Sequence, residues 1–213
     1  MSTYVLCLKL HNRPCLVVGG GEVAERKVRT LHAAGACITI IAREVHERLR
    51  LYAEEHAIQL MTREVREEDA KGKSIVIAAT NDQNVNLFIA EQARKAGALV
   101  NVADSPEDSD FFVPATINRG DLTIAIATNG KIPALSRRIK DELEKQFGNE
   151  YENYLQLLEP AREAIYISSA HSAERKTGLI EELLDLPLLP LLKERKHGAA
   201  QQTVQAFLRK HGV

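Results

Sequence analysis

The sequence has no tryptophan, only three cysteines and no long uncharged apolar run. Cys7, Cys15 and Cys37 are odd in number and lack the spacing of zinc ligands, so we interpret them as reduced packing residues. No stretch approaches the roughly eighteen apolar residues of a membrane span. Residues 1–10 also lack the basic start and cleavage site of a signal peptide, which predicts a cytoplasmic protein.

The sequence also lacks an excess of either positive or negative charge. Lys and Arg number 28 against 29 Asp and Glu, for a formal net charge of -1. This balance argues against a general nucleic-acid or anionic-membrane binder. His, Cys and carboxylate residues show no convincing metal-ligand spacing, so we predict no metal site. With 213 residues, the chain suits one medium domain with additions or two small ones.

What the sequence does contain is a glycine-rich stretch between an apolar run and a helical pattern. Gly19, Gly21 and Ala24 occupy the three small positions of G-x-G-x-x-A. In that motif the first glycine makes a tight turn, the second admits a pyrophosphate, and the third small residue packs helix on strand. The helix N-terminus then faces the phosphates without needing Lys or Arg. A second apolar strand at 37–41 completes a β-α-β unit of about 30 residues.

Strand and helix patterns alternate through residues 1–112 and predict an α/β fold, a Rossmann-like doubly wound parallel sheet. A helix after Asn81 and Asp82 is expected to direct Val85, Phe88, Ile89 and Ala93 inward. The predicted strands are 1–9, 16–18, 37–41, 58–61, 73–80 and 98–102.

The pattern changes near Phe111. Residues 113–148 predict an antiparallel hairpin with its turn at 118–121, followed by a helix over 134–147. Residues 149–213 predict helices only, one of which Pro160 should kink or break. We interpret this helical subdomain as a cover for a site or a subunit contact.

Three predicted loops converge at the carboxyl edge of the sheet, where doubly wound proteins bind ligands. They are the glycine loop, the loop beginning at Ala79 and Thr80, and the loop at 103–105. Asp104 places a carboxylate where a nicotinamide would end, and it could accept a proton while hydride leaves. From spacing alone, a simple turn at residues 104–106 explains Asp104 better than a catalytic role does. Lys131, Arg137 and Arg138 form a basic stretch that could bind a polycarboxylate or be a solvated surface.

The cofactor type stays open from spacing alone. An NAD site usually has Asp or Glu about 20 residues past the glycines, whereas the second strand here ends in Arg43 and Glu44. Arg43 could meet the 2′-phosphate of NADP, or it could simply face solvent.

Four segments, in order, resemble the precorrin-2 dehydrogenase family, which forms the dehydrogenase and ferrochelatase module of siroheme synthase. They are residues 17–27, 78–86, 101–104 and 112–115. The resemblance is strong over 1–147 and implies NAD-dependent oxidation of precorrin-2 to sirohydrochlorin, with Asp104 as the catalytic aspartate. It also implies a homodimer built through residues from about 113, a cleft between the sheet domain and that region, and, in some members, insertion of Fe²⁺.

Spacing and resemblance together define the candidate site. The catalytic residue is Asp104, and the hypothetical substrate-binding residues are Lys131, Arg137 and Arg138. The cofactor-binding residues are Gly19, Gly20, Gly21, Glu22, Val23, Ala24, Arg43, Ala79, Thr80 and Asn81.

Two other functions remain open at this point. One is a non-enzymatic NAD-sensing regulatory domain, which would share the glycine loop but have no use for a carboxylate at 104. The other is a ferrochelatase whose sheet binds nucleotide poorly, which would insert Fe²⁺ without reducing NAD.

Overall fold

The computed structural model describes residues 3–213, whose backbone contacts divide into two compact units. The first unit ends at Val113, and the second spans Pro114–Val213.

The first unit is a five-stranded parallel sheet in the order β3-β2-β1-β4-β5. Its strands are β1 Pro14–Val18, β2 Cys37–Ala42, β3 Gln59–Thr62, β4 Ile75–Ala78 and β5 Leu99–Val102. Its helices are α1 Glu22–Ala33, α2 Glu47–Glu55, α3 Gln83–Lys95 and a short 3-10 helix at Glu67–Ala70. This arrangement confirms the predicted Rossmann-like parallel sheet.

Both faces of the sheet are covered, as the apolar strands require. Val17 belongs to the cluster that includes residues of α1 and α2, whereas its neighbour Leu16 belongs to the cluster that includes residues of α3. Neither side chain has any exposed surface. Because successive side chains of a strand point to opposite faces, a strand buried on both sides reads as a continuous apolar run.

Three predictions for the first unit are wrong. Cys7 and Cys37, which were predicted to be packing residues, are exposed, whereas Cys15 is buried. No strand forms over residues 3–9, and Met1 and Ser2 of that prediction lie outside the described residues. The segment leads straight into β1 in the middle of the sheet, whose edges are β3 and β5. Phe88 is 40% exposed instead of inward, because the buried face of α3 runs through Asn86, Ile89 and Ala93 at helical spacing.

The second unit contains the predicted hairpin and five helices. Strands β6 Ala115–Arg119 and β7 Leu122–Ile126 are antiparallel, with Ile117 opposite Ile124. The helices are α4 Pro133–Gln146, α5 Glu150–Ile167, α6 Ala173–Leu184, α7 Leu188–Lys193 and α8 His197–Lys210. Leucines from α5, α6 and α7 pack with Val204 and Phe207 of α8 in one apolar cluster.

Pro160 does not break its helix, since α5 continues to Ile167. An internal proline costs about 3 kcal/mol. Leu158, Ala161 and Ile165 are buried on both sides of it in the apolar cluster, and their packing offsets this cost. None of the helices in residues 3–213 is long and apolar enough to cross a bilayer.

Candidate active site

The glycine loop lies where the strand order reverses. β1 is flanked by β2 on one side and β4 on the other, so successive crossovers leave it in opposite directions. The Gly19 N–H donates to the Ile41 carbonyl at 2.9 Å, and the Ala79 N–H donates to the Val18 carbonyl at 2.7 Å. These bonds tie the loop after β1 to β2 and to the start of the loop after β4.

Close backbone contacts require glycine at the first two positions of this loop. Gly19 has φ +133°, and a Cβ there would overlap the Ala79 carbonyl. A Cβ on Gly20 would overlap the Glu44 carbonyl, in the segment after β2. The loop is therefore held between its two neighbouring loops by backbone packing.

Gly21 is different, because the space around it is open. A Cβ at this position would meet nothing within 4 Å, although Gly21 is the N-cap of α1. The first helical bond runs from Glu25 N–H to the Gly21 carbonyl at 3.0 Å, and no side chain caps the turn. The N–H groups of Glu22, Val23 and Ala24 therefore lack intrahelical partners.

This arrangement fits the diphosphate of a dinucleotide. An uncapped helix N-terminus offers free donors and a positive dipole to an anion. The open position at Gly21 admits the ligand, and Glu22 beside it is exposed. Ala24 is fully buried in the cluster between α1 and the sheet, as the third small position of the motif requires.

The loop after β4 is shaped by an asparagine that the site prediction left out. Asn86 of α3 is 5% exposed, and its Oδ1 accepts from the Thr80 N–H at 3.1 Å and lies 2.7 Å from the Thr80 hydroxyl. Its Nδ2 donates to the Thr80 carbonyl at 3.0 Å. Asp82 caps α3 by accepting from the Asn84 N–H at 2.9 Å. The backbone and hydroxyl of Thr80 are therefore hydrogen-bonded within the loop, whereas Asn81 is exposed.

Asp104 stands at the turn that leaves β5. It is exposed and has φ +60°, a left-handed conformation that is uncommon outside glycine. Hydrogen bonds on both sides hold the turn: Ser109 Oγ accepts from the Val102 N–H at 2.9 Å and lies 2.8 Å from the Ser105 carbonyl. Ser105 is buried, and its Oγ donates to Asp108 at 2.6 Å. The carboxylate is therefore presented to solvent from a fixed loop.

Lys27 of α1, which the site prediction did not assign, interacts electrostatically with Asp104. Burial lowers the pKa of the Lys27 ammonium, Arg26 lowers it further, and the negative charge of Asp104 acts in the opposite direction. The only sequence signal for Lys27 is its place in the segment 17–27 that follows the glycines.

Arg43 follows β2 and is held by an acidic residue from the next strand end. Its Nη2 lies 2.8 Å from Oε1 of Glu64, and both side chains are mostly exposed. The acid that an NAD site usually carries at the end of the second strand is thus absent from that strand, but a carboxylate reaches the same edge from the end of β3.

The predicted substrate-binding residues lie in the second unit. Lys131 is exposed in the turn before α4, and Arg137 and Arg138 are exposed on α4. Arg138 Nε lies 3.4 Å from Glu142 one helical turn on. Lys140 Nζ likewise lies 3.7 Å from Glu144, so carboxylates one helical turn on compensate part of the positive charge of α4.

Comparison with known proteins identifies relatives along most of the chain. Residues 6–115 match the family model described as putative NAD(P)-binding, and 119–146 match that of the sirohaem biosynthesis protein central region. A precorrin-2 dehydrogenase from Priestia megaterium is 36% identical over 91% of this chain and 95% of its own length. A siroheme synthase from Methylococcus capsulatus is 38% identical over 78% of this chain, but this match spans 35% of that enzyme. The solved structure of SirC, a precorrin-2 dehydrogenase, has a TM-score of 0.76 and 32% identity, covering 96% of this chain and 100% of that one.

The sheet topology, the glycine loop and the matching model define an NAD(P)-binding protein of the Rossmann type. The match over nearly the full length of a dehydrogenase relative narrows this class further. The chain belongs to the precorrin-2 dehydrogenase family, which confirms the resemblance inferred from its four motifs.

Proposed function

We propose that this protein is an NAD-dependent precorrin-2 dehydrogenase that oxidises precorrin-2 to sirohydrochlorin in siroheme biosynthesis. The observation that carries the proposal is the open, uncapped N-terminus of α1 at the switch point of the sheet, in a chain of this family. The exposed Asp104 at the end of β5 supplies a base at the same edge.

The chain's own residues account for binding and proton transfer. Backbone N–H groups of residues 22–24 bind the diphosphate, while Gly19 and Gly20 let the loop pack against its neighbours. NAD⁺, when bound, accepts a hydride from the substrate. Asp104 takes the accompanying proton, so that precorrin-2 loses two hydrogens in all.

The remaining assignments are part of the same proposal. Residues 1–112 bind NAD, 113–148 carry the dimer contact and bind substrate, and 149–213 form a helical subdomain. Substrate carboxylates bind Lys131, Arg137 and Arg138. The second copy of the chain packs on the apolar residues near the start of α4, where Ile132 and Leu135 are 54% and 42% exposed. The proposed location is the cytoplasm, which cell fractionation tests.

The decisive experiment mixes purified protein with precorrin-2 and NAD⁺ and records the spectra of sirohydrochlorin and NADH together. We expect both products in equal amounts. Fe²⁺ is then added as a second substrate, since its insertion also requires a base for the pyrrole N–H protons and Asp104 is the candidate. NADH production without sirohydrochlorin, or no reaction of either, would contradict the proposed function.

Asp104→Asn tests the base directly. The variant keeps the size of the side chain and should bind NAD⁺ normally while losing at least about a hundredfold in dehydrogenase turnover. Glu107→Gln is the matched control, because Glu107 is an exposed acid of the same loop and Ser105 retains its bond to Asp108. Full turnover in Asp104→Asn would remove the assigned role.

A further inference from the structure

We propose that Glu64 makes this protein prefer NAD⁺ over NADP⁺, by holding Arg43 in an ion pair where the 2′-phosphate of NADP⁺ would bind. The inference rests on the proposed function, because it concerns the cofactor of that reaction. It assigns a specificity role to a residue outside the glycine motif and outside the second strand.

The sheet register brings the two side chains to one edge. Ala42, the last residue of β2, is paired with Thr62, the last residue of β3. Beyond this pair the Arg63 N–H still donates to the Ala42 carbonyl at 3.1 Å, so the two chain segments stay adjacent as they leave the sheet. Arg43 and Glu64 then meet at 2.8 Å.

This edge lies beside the glycine loop. The segment after β2 contacts Gly20 through the Glu44 carbonyl, and the His46 N–H donates to the Gly20 carbonyl at 2.8 Å. In Rossmann-type sites the residue at the end of the second strand contacts the adenosine ribose and distinguishes NAD from NADP. A carboxylate there binds the 2′-hydroxyl of NAD, whereas a free arginine accommodates the 2′-phosphate of NADP. Arg43 alone would therefore favour NADP⁺.

Glu64 reverses that preference in two ways. It compensates the charge of Arg43, and it places a carboxylate where a phosphate dianion would have to lie. The other arginine at the end of β3 cannot replace Arg43, because both Nη atoms of Arg63 donate to Asp69 at 2.7 Å. A phosphate arriving at this edge thus meets guanidinium groups that already have carboxylate partners.

The size of the effect is modest because the pair is exposed. The side chains of Arg43 and Glu64 are 69% and 72% exposed, so the pair adds little to stability. In water, one unit charge 4 Å from another changes affinity by a factor of about five. A phosphate monoester carries about 1.5 to 2 charges, and salt screens part of the interaction, so removal of the Glu64 charge should strengthen NADP⁺ binding by about tenfold.

The test is calorimetric titration of NAD⁺ and of NADP⁺ into the full chain and its variants. Wild type should bind NAD⁺ more tightly than NADP⁺. Glu64→Gln should strengthen NADP⁺ binding by about tenfold and leave NAD⁺ within about twofold. The double variant Arg43→Ala/Glu64→Gln should lose that gain, since the freed guanidinium produces it.

A matched control removes one acidic charge elsewhere on the first unit. Glu54 is exposed near the far end of α2, about 10 Å along the helix from its start beside the glycine loop. Glu54→Gln should leave the ratio of the two affinities unchanged. Melting temperatures should be the same for all variants, because every substituted side chain is exposed.

An unchanged affinity ratio in Glu64→Gln would overturn the inference and leave the proposed function standing. A wild-type protein that binds NADP⁺ at least as tightly as NAD⁺ would overturn both the inference and the NAD dependence of the proposed function. If the gain persists in the double variant, the role of Arg43 is wrong. Failure of wild type to bind either nucleotide would overturn the proposed function itself, and the inference with it.

Discussion

Alanine at Gly19 and at Gly21 should damage this protein in opposite ways. The two glycines are two residues apart in one loop, but only Gly19 has a positive φ and a backbone carbonyl in the path of a Cβ. We expect Gly19→Ala to destabilise the fold and Gly21→Ala to weaken cofactor binding in a protein that folds normally.

The structure sets the magnitudes. At φ +133°, a non-glycine residue pays about 1–3 kcal/mol of backbone strain, and the overlap with the Ala79 carbonyl adds to this. A total of about 3 kcal/mol corresponds to about 10 °C in the melting temperature of a unit of this size. At Gly21 the backbone is extended and the space is open, so the folded state changes by less than about 1 kcal/mol. The new methyl group there occupies the approach to the helix N-terminus, and NAD⁺ binding should weaken at least tenfold, by about 1.4 kcal/mol.

The assay combines thermal denaturation with calorimetric titration of NAD⁺ for wild type and both variants. The control is Gly72→Ala, where φ is +70° but no atom lies within 4 Å of the added Cβ, which separates backbone strain from overlap. Gly72→Ala should lose about 1 kcal/mol and keep its NAD⁺ affinity. A Gly21→Ala variant that binds NAD⁺ as wild type does, or a Gly19→Ala variant as stable as wild type, would refute the reasoning.

Three other perturbations test the remaining parts of the structure. Arg137→Ala/Arg138→Ala should raise the KM for precorrin-2 at least about tenfold without changing NAD⁺ affinity, and an unchanged KM would remove the substrate role. The Arg63 guanidinium holds the pKa of Asp69 below its usual 3.8. The contribution of this ion pair to folding stability is therefore complete above pH 3.8, and it is lost as the pH falls through the lowered folded-state pKa of Asp69. Acid titration of stability should therefore show a smaller loss in Asp69→Asn than in wild type. Leu183→Ala should cost about 2–5 kcal/mol by chemical denaturation, because the side chain is 1% exposed in the cluster of the second unit.

Local chemistry made much of the first unit predictable. Continuous apolar runs such as 75–78 predict strands covered on both faces, and Asp82 at the start of α3 caps it as its position indicates. The alternation of strands with helices predicts a parallel sheet because parallel strands need a crossover. The strands before the glycines and at 37–41 were identified to within one or two residues.

Periodicity failed where the outcome depends on what a segment packs against. The apolar run near the N-terminus is typical of a strand, but residues 3–9 form none and Tyr4 is 89% exposed. Phe88 is apolar, but it lies one position before Ile89, which is on the buried face of α3. Pro160 carries a local cost that the apolar cluster around α5 outweighs. Each of these outcomes is set by tertiary neighbours, which composition and spacing do not contain.

The sequence by itself determined that this chain forms a sheet of the dinucleotide-binding type, with a carboxylate after its fifth strand. Glycine spacing, capping residues and apolar periodicity indicate this, because each is a property of a short segment. Only the tertiary structure decided which distant residues meet. The register of β2 with β3 joins Glu64 to Arg43, and the adjacent strands β1 and β4 place the Ala79 carbonyl against Gly19. Hydrogen bonds and ion pairs require atoms within a few ångströms, and for residues far apart in sequence that distance is set by how the whole chain folds.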